Sequence, residues 1–120
     1  MPVIDPTRIR DAANADPEFR IAARHWDAVL RIDAGAEVHL LQVRAGEAVE
    51  ADPGGAFAYD VRIAAPAATW DEMLAVVPRA FYHDLFAAAA RHGVVFEGDT
   101  EAYYPALRRL LELMRAVANA

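Results

Sequence analysis

Hydrophobic and polar positions change their period several times along the chain, and each change marks an element. Asp5-Pro6 and Asp16-Pro17 each set an N-cap acceptor before the residue that best tolerates the first helical position, so two short helices are predicted. Phe19, Ala22, Ala23 and Trp26 recur at helical spacing and give the second an apolar face. From Trp26 the period falls to two. Ala28, Leu30 and Ile32 alternate with Asp27, Val29, Arg31 and Asp33; Ala34-Gly35 supplies a turn, and residues 37–44 resume as the second strand of a hairpin. Ala45-Gly46 is another tight turn, residues 47–51 a third strand, and Asp-Pro-Gly-Gly at 52–55 a connection of strong turn composition. The fourth strand alternates most cleanly, with Phe57, Tyr59, Val61 and Ile63 on one face and Ala58, Asp60, Arg62 and Ala64 on the other.

Pro66 closes that strand, and Thr-Trp-Asp-Glu at 69–72 is a capping box that predicts a helix running to Val77 and stopped by Pro78. Phe81, Leu85, Phe86 and Ala89 mark a further helix ended by His92-Gly93, and residues 94–97 a short fifth strand. Beyond Asp99, the positions Tyr103, Leu107, Leu110, Leu111, Met114 and Val117 form one apolar stripe, with Arg108, Arg109, Glu112 and Arg115 off it. Pro105 fits the first turn of this last helix, which leaves residues 100–104 as a separate turn. The expected fold class is α+β: a five-stranded, mainly antiparallel sheet covered on one face by helices, in a single domain over residues 1–120.

Composition narrows the chemistry. There is no Cys, Ser or Lys, which removes Ser and Cys nucleophiles, disulfides, thiolate metal sites, a phosphate-loop lysine and Schiff-base mechanisms. A net charge of −6 with scattered arginines argues against nucleic acid as a partner. No apolar run reaches the roughly 18 residues of a membrane span, and the N-terminus lacks an export pattern, so cytoplasm is the expected location. Arginine-only basicity with heavy alanine use has the look of a GC-rich bacterial gene.

The stretch YDVRIAAPAATWDEMLA at 59–75, followed by GVVFEGD at 93–99 and a Leu-rich helix, resembles the sterol carrier protein 2 (SCP2) family. The wider run PRAFYHDLFAAAARHGVVFEGD at 78–99 is similar to SCP2-like domains appended to α/β-hydrolase-like chains. The resemblance implies a five-stranded sheet with helices on one side, enclosing an apolar tunnel for sterols, fatty acyl chains or acyl-CoA. It implies no cofactor. Members also serve as accessory modules in quinone biosynthesis and as parts of larger enzymes.

On that resemblance, the cavity residues are Phe57, Tyr59, Val61, Ile63, Leu74, Phe81, Phe86, Phe96, Leu107, Leu110, Leu111 and Met114; by pattern alone the same set reads as plain core. The expected function is binding of a fatty acyl, isoprenoid or steroid-like lipid as a non-catalytic carrier or presenter, with at most transient membrane contact. The alternative is an accessory subunit of a partner enzyme of lipid, steroid or quinone metabolism, offering a groove that includes Leu110 and Leu113. A third reading has Tyr82, His83 or Asp84 moving protons in an apolar pocket. Glu97 and Asp99 could form an acid/base pair, although Asp99 reads better as a cap for the turn that follows it. Asp60 with Arg62, and Arg31 with Asp33, read as solvated pairs on the polar face. His25, His39 and His92 read as structural or surface groups, and no His-x-x-x-His or His-x-x-Glu spacing points to a metal.

Overall fold

The computed structural model describes residues 4–50 and 59–120. Both Asp-Pro pairs start helices. Asp5 accepts from the amides of Thr7 (3.1 Å) and Arg8 (3.3 Å) ahead of α1 (Pro6–Ala15), and Asp16 accepts from the Phe19 amide (2.8 Å) ahead of α2 (Pro17–Ala22). These bonds satisfy amides that have no carbonyl partner in a first turn. The chain then enters an antiparallel meander of β1 (Asp27–Ala34), β2 (Glu37–Arg44) and β3 (Glu47–Glu50). Ala45 and Gly46 join the last two with φ of 50° and 83°, the pair of positive values that a two-residue hairpin turn of the primed type requires.

β4 (Val61–Ala65) does not extend the meander from β3. It lies beside β1 and parallel to it, Leu30 opposite Val61 and Ala34 opposite Ala65, while β5 (Val95–Gly98) pairs antiparallel on its other edge. The sheet order is β3-β2-β1-β4-β5. This placement gives β4 a hydrogen-bonding neighbour along each edge, so Val61 and Ile63 can be buried without leaving backbone groups unpaired. Phe57 and Ala58, expected at its start, lie outside the described residues.

Residues opposite each other in register share a face. Leu30, Leu41 and Val61 therefore point the same way, as do Ile32 and Ile63 beside them, and they join Ile9, Phe19, Trp70, Met73 and Leu85 in one core. The helices that complete it are α3 (Ala67–Met73), α4 (Leu85–His92) and α5 (Thr100–Ala118). The result is the expected α+β arrangement of one sheet and a helical layer.

Helix boundaries differ from the expected ones for local reasons. α3 has Pro66 at its N-cap with no side-chain cap, so Thr69 sits inside the helix and the capping box does not form; Glu72 bonds Arg79 (2.8 Å) instead. The same helix stops at Met73 rather than Val77, because α5 supplies partners for its last carbonyls: Arg115 Nε donates to Met73 O (3.0 Å) and Asn119 Nδ2 to Leu74 O (2.7 Å). α4 begins at Leu85, with Asp84 as N-cap to the Ala87 amide (3.2 Å), which leaves Phe81 in the preceding turn at φ 70°. α5 begins at Thr100, so residues 100–104 are its first turns and not a separate one. Pro105 lies inside it; the carbonyl deprived of a partner belongs to Glu101, an exposed residue on which water can serve. Asp99 occupies the N-cap position without a side-chain cap bond, so its expected capping role is not seen.

Candidate ligand site

The inward row of β4 and the buried stripe of α5 converge. Val61 and Ile63 from the strand, Leu74 just after α3, and Leu107, Leu110, Leu111 and Met114 from α5 are all buried in the same cluster, and Phe96 packs against it from β5. α5 can place four of these on one side because residues three and four apart on a helix stack over one another. Phe86 sits at the rim, 43% exposed, its ring 5.3 Å from Phe96 and stacked 4.3 Å from Tyr104. Phe81 is 41% exposed beneath the Arg91 guanidinium (4.6 Å to the ring centroid). Leu110 is buried and Leu113 packs against the core, so neither offers the outer surface expected of them.

Tyr59 does not continue the inward row. It lies on the open face of the sheet, 38% exposed, with Arg31 5.8 Å from its ring centroid and its hydroxyl donating to Glu97 (2.9 Å). The same face carries a connected set of charges. Asp33, 7% exposed, accepts from Arg31 Nε (2.8 Å) and Arg62 Nε (2.7 Å), and Arg62 Nη1 reaches on to Glu97 (3.1 Å). Burial pushes the Asp33 carboxyl up, but the two arginine hydrogen bonds and charges outweigh it and hold the group below the ordinary carboxylate range. The Glu97 carboxyl is lowered too, first by the Tyr59 hydroxyl and then by Arg62. Arg31 and Asp33 thus pair as expected, whereas Arg62 takes Asp33 and Glu97, and the Asp60 carboxylate accepts from the Val29 amide (2.8 Å). Glu97 is committed to this network rather than to a pair with Asp99.

Periodicity did not reveal a cleft of about 480 Å³ on the far side of α5, lined by His83, Asp84, Tyr104, Arg108, Leu111, Glu112 and Arg115. Asp84 both caps α4 and accepts a hydrogen bond from the Tyr104 hydroxyl. Burial, and then that carboxylate, push the Tyr104 phenol up to about 12. Arg115 donates to the carbonyls of Met73 and His83 (3.4 Å), and burial lowers it from its ordinary value. The available signal was the spacing of Tyr104, Arg108, Leu111 and Arg115, which puts polar groups and one core leucine along a single flank of the helix. Tyr82 stacks on His92 at 3.7 Å and Arg79 lies 5.4 Å over its ring, so it stands apart from this cleft. A groove of about 430 Å³ runs along the open face past Asp33, Arg62, Ala64 and Val95.

Among the described residues no group of His, Asp and Glu could hold a metal ion. No helix of the described residues is long and apolar enough to cross a membrane. Among the same residues one buried side-chain donor lacks a partner: the Trp26 indole N–H, in a ring stacked 5.0 Å from Tyr103.

No family model and no curated protein matches the chain. Solved structures do. A crystal structure of sterol carrier protein 2 superposes with a TM-score of 0.69 at 20% identity, over 92% of each chain. A Thermus thermophilus protein described as possibly a sterol carrier protein gives 0.64 at 21% identity, over 94% of this chain and 85% of that one. A protein described as UbiJ-SCP2, a ubiquinone synthesis protein, gives 0.62 at 15% identity, over 91% and 90%. The chain therefore has the SCP2-like fold.

Proposed function

We propose that this chain binds a hydrophobic ligand, a fatty acyl, isoprenoid or steroid-like lipid, between the inward face of β4 and α5, and acts as a non-catalytic carrier or presenter. What carries the reading is the convergence of Val61, Ile63, Leu107, Leu110, Leu111 and Met114 beneath Phe96 in a chain with this fold. Burying apolar ligand area there contributes at about 25 cal/mol per Å². Met114 is the wall most able to move aside, since its thioether chain has no branch to lock it. Two of the groups that would move protons are otherwise engaged, Asp84 by a helix cap and Tyr104, Tyr82 by the His92 ring.

The test is native mass spectrometry of freshly purified protein with organic extraction, joined to titration with a fluorescent fatty acid. A co-purifying lipid and saturable binding are expected, and Met114→Trp should weaken that binding while the thermal transition persists. Absence of both extracted lipid and saturable binding would sink the reading. Substitution suits this better than truncation, because the buried residues of α5 are the core itself.

A specific feature favours a second reading, that of an accessory subunit for a partner enzyme. Val76 and Val77 are 73% and 82% exposed in the turn after α3, near Phe81. Exposed aliphatics grouped in one segment suit contact with another protein. Replacing both with Thr should abolish co-purification with such a partner and leave lipid binding unchanged; retained co-purification counts against this surface.

A further inference from the structure

The cleft beside α5 contains two cations and two carboxylates, but the carboxylates are spent elsewhere. Glu112 accepts from Arg109 (2.8 Å), which also holds Asp16. Asp84 is occupied by the Ala87 amide and the Tyr104 hydroxyl. Arg115 bonds only to the neutral carbonyls of Met73 and His83, and exposed Arg108 makes no ion pair among the described residues. Glu112 acts on Arg115 through its charge but makes its hydrogen bond to Arg109, and burial outweighs it, so a partly buried guanidinium with no directly bonded counter-ion gains free energy from an incoming anion. Residues 108 and 115 stand two turns apart on the same flank of α5, with Leu111 between them.

We infer that this cleft is an oxyanion site that receives the carboxylate, phosphate or sulfate head of an amphiphile, held between Arg108 and Arg115 with His83 at its side. Guanidinium groups suit such heads because their planar N–H forks match two oxygens at once. An amphiphile fits better than a bare ion because the cleft is not polar throughout. Leu111 belongs both to its lining and to the core, and rings in contact lead from Tyr104, stacked on Phe86, to Phe96, tilted against Phe86, at the sheet. Its volume of about 480 Å³ exceeds what a head alone occupies and lies in the range of small-molecule sites. The inference rests on the lipid-binding reading for the tail and adds the class of head.

A fluorescent long-chain fatty acid and its methyl ester, which share a tail and differ in an anionic against a neutral, methylated head, separate the two ideas. The protein should bind the acid about tenfold more tightly than the ester, and Arg108→Gln and Arg115→Gln should each reduce that preference severalfold with ester affinity unchanged. Arg108 is exposed, so its variant folds and carries the result even where Arg115→Gln does not. Equal affinity for acid and ester overturns the anion site and leaves the lipid reading standing. Inorganic phosphate, followed through the Arg Nε–Hε resonances, gives the remaining arm. If phosphate shifts them while neither lipid binds, the occupant is a free anion and the amphiphile is overturned; silence from phosphate and from the acid overturns the site altogether.

Discussion

Arg109 and Asp16, 93 positions apart, meet through two parallel hydrogen bonds, Nε and Nη2 each 2.9 Å from a carboxylate oxygen. The Asp16 carboxylate also caps α2, so one side chain starts a helix and anchors α5 to it. The bonds from Arg109, ahead of the Phe19 amide, hold the Asp16 carboxyl below its ordinary range. Asp16→Ala should cost about 1 kcal/mol for the lost cap and up to about 1 more for the ion pair. Arg109→Gln should leave the cap and cost the second part together with the exposed pairs to Glu18 (2.9 Å) and Glu112 (2.8 Å). Urea unfolding of both variants and the double variant gives the coupling, and purely additive losses would show that the bidentate geometry contributes nothing.

Gly98 lets β5 lie against β4. Its φ is 101°, and a Cβ there would stand 2.0 Å from the Asp60 carbonyl oxygen. That atom is backbone, held also by the Asp99 amide (3.2 Å), and cannot swing away. Gly98→Ala should destabilise the protein by more than about 1 kcal/mol from the backbone conformation alone, with the clash adding to it. Hydrogen exchange should speed most at β5 amides. An unchanged unfolding midpoint would contradict this account of the bend.

Acid should unfold the protein partly through Asp33. Its folded pKa lies below the unfolded value of about 3.9, so across that window the unfolded chain binds more protons. The stabilisation is complete above the unfolded value and is lost as pH falls through the folded one. Urea midpoints measured from about pH 6 downward should decline less steeply in Asp33→Asn than in the unsubstituted chain. Asp16 and Glu97, shifted the same way, supply the slope that persists.

Alkali tests Tyr104 with the opposite sign. Its folded pKa of about 12 exceeds the ordinary 10.0, so the native state keeps its proton longer. The stabilisation is complete below the unfolded value and is lost as pH rises towards about 12. Ultraviolet titration should show a late tyrosine step that Tyr104→Phe removes. Asp84→Asn should move that step down only part of the way, because burial is the larger cause.

Elements whose cause lies within a few residues were legible in the sequence. Asp5-Pro6 and Asp16-Pro17 start helices because a carboxylate can reach an amide two or three positions on, and the hairpins follow from alternation and turn residues. The apolar stripe of α5 was equally plain, and with β4 it brings the proposed lipid contacts together. Local signals failed where a distant group competed. Thr69 and Glu72 have capping-box spacing, but Arg79 takes Glu72, while Arg115 and Asn119 end α3 early. Tyr59 has the parity of an inward residue, yet Glu97 and Arg31 hold it on the open face.

By itself the sequence determined the α+β class, the starts of α1 and α2, the strand alternation and the inward stripe, all consequences of backbone sterics and of side-chain period. It also singled out the Glu-Gly-Asp bend after Phe96, whose glycine is needed for close approach to β4. Only the tertiary structure decided that β4 runs parallel to β1, that Glu97 joins a charge network on the open face, and that Arg108 and Arg115 flank a cleft whose carboxylates make their hydrogen bonds to other groups. Those outcomes depend on which charges and edges meet across the chain, and nothing in the period of a single element encodes its neighbour.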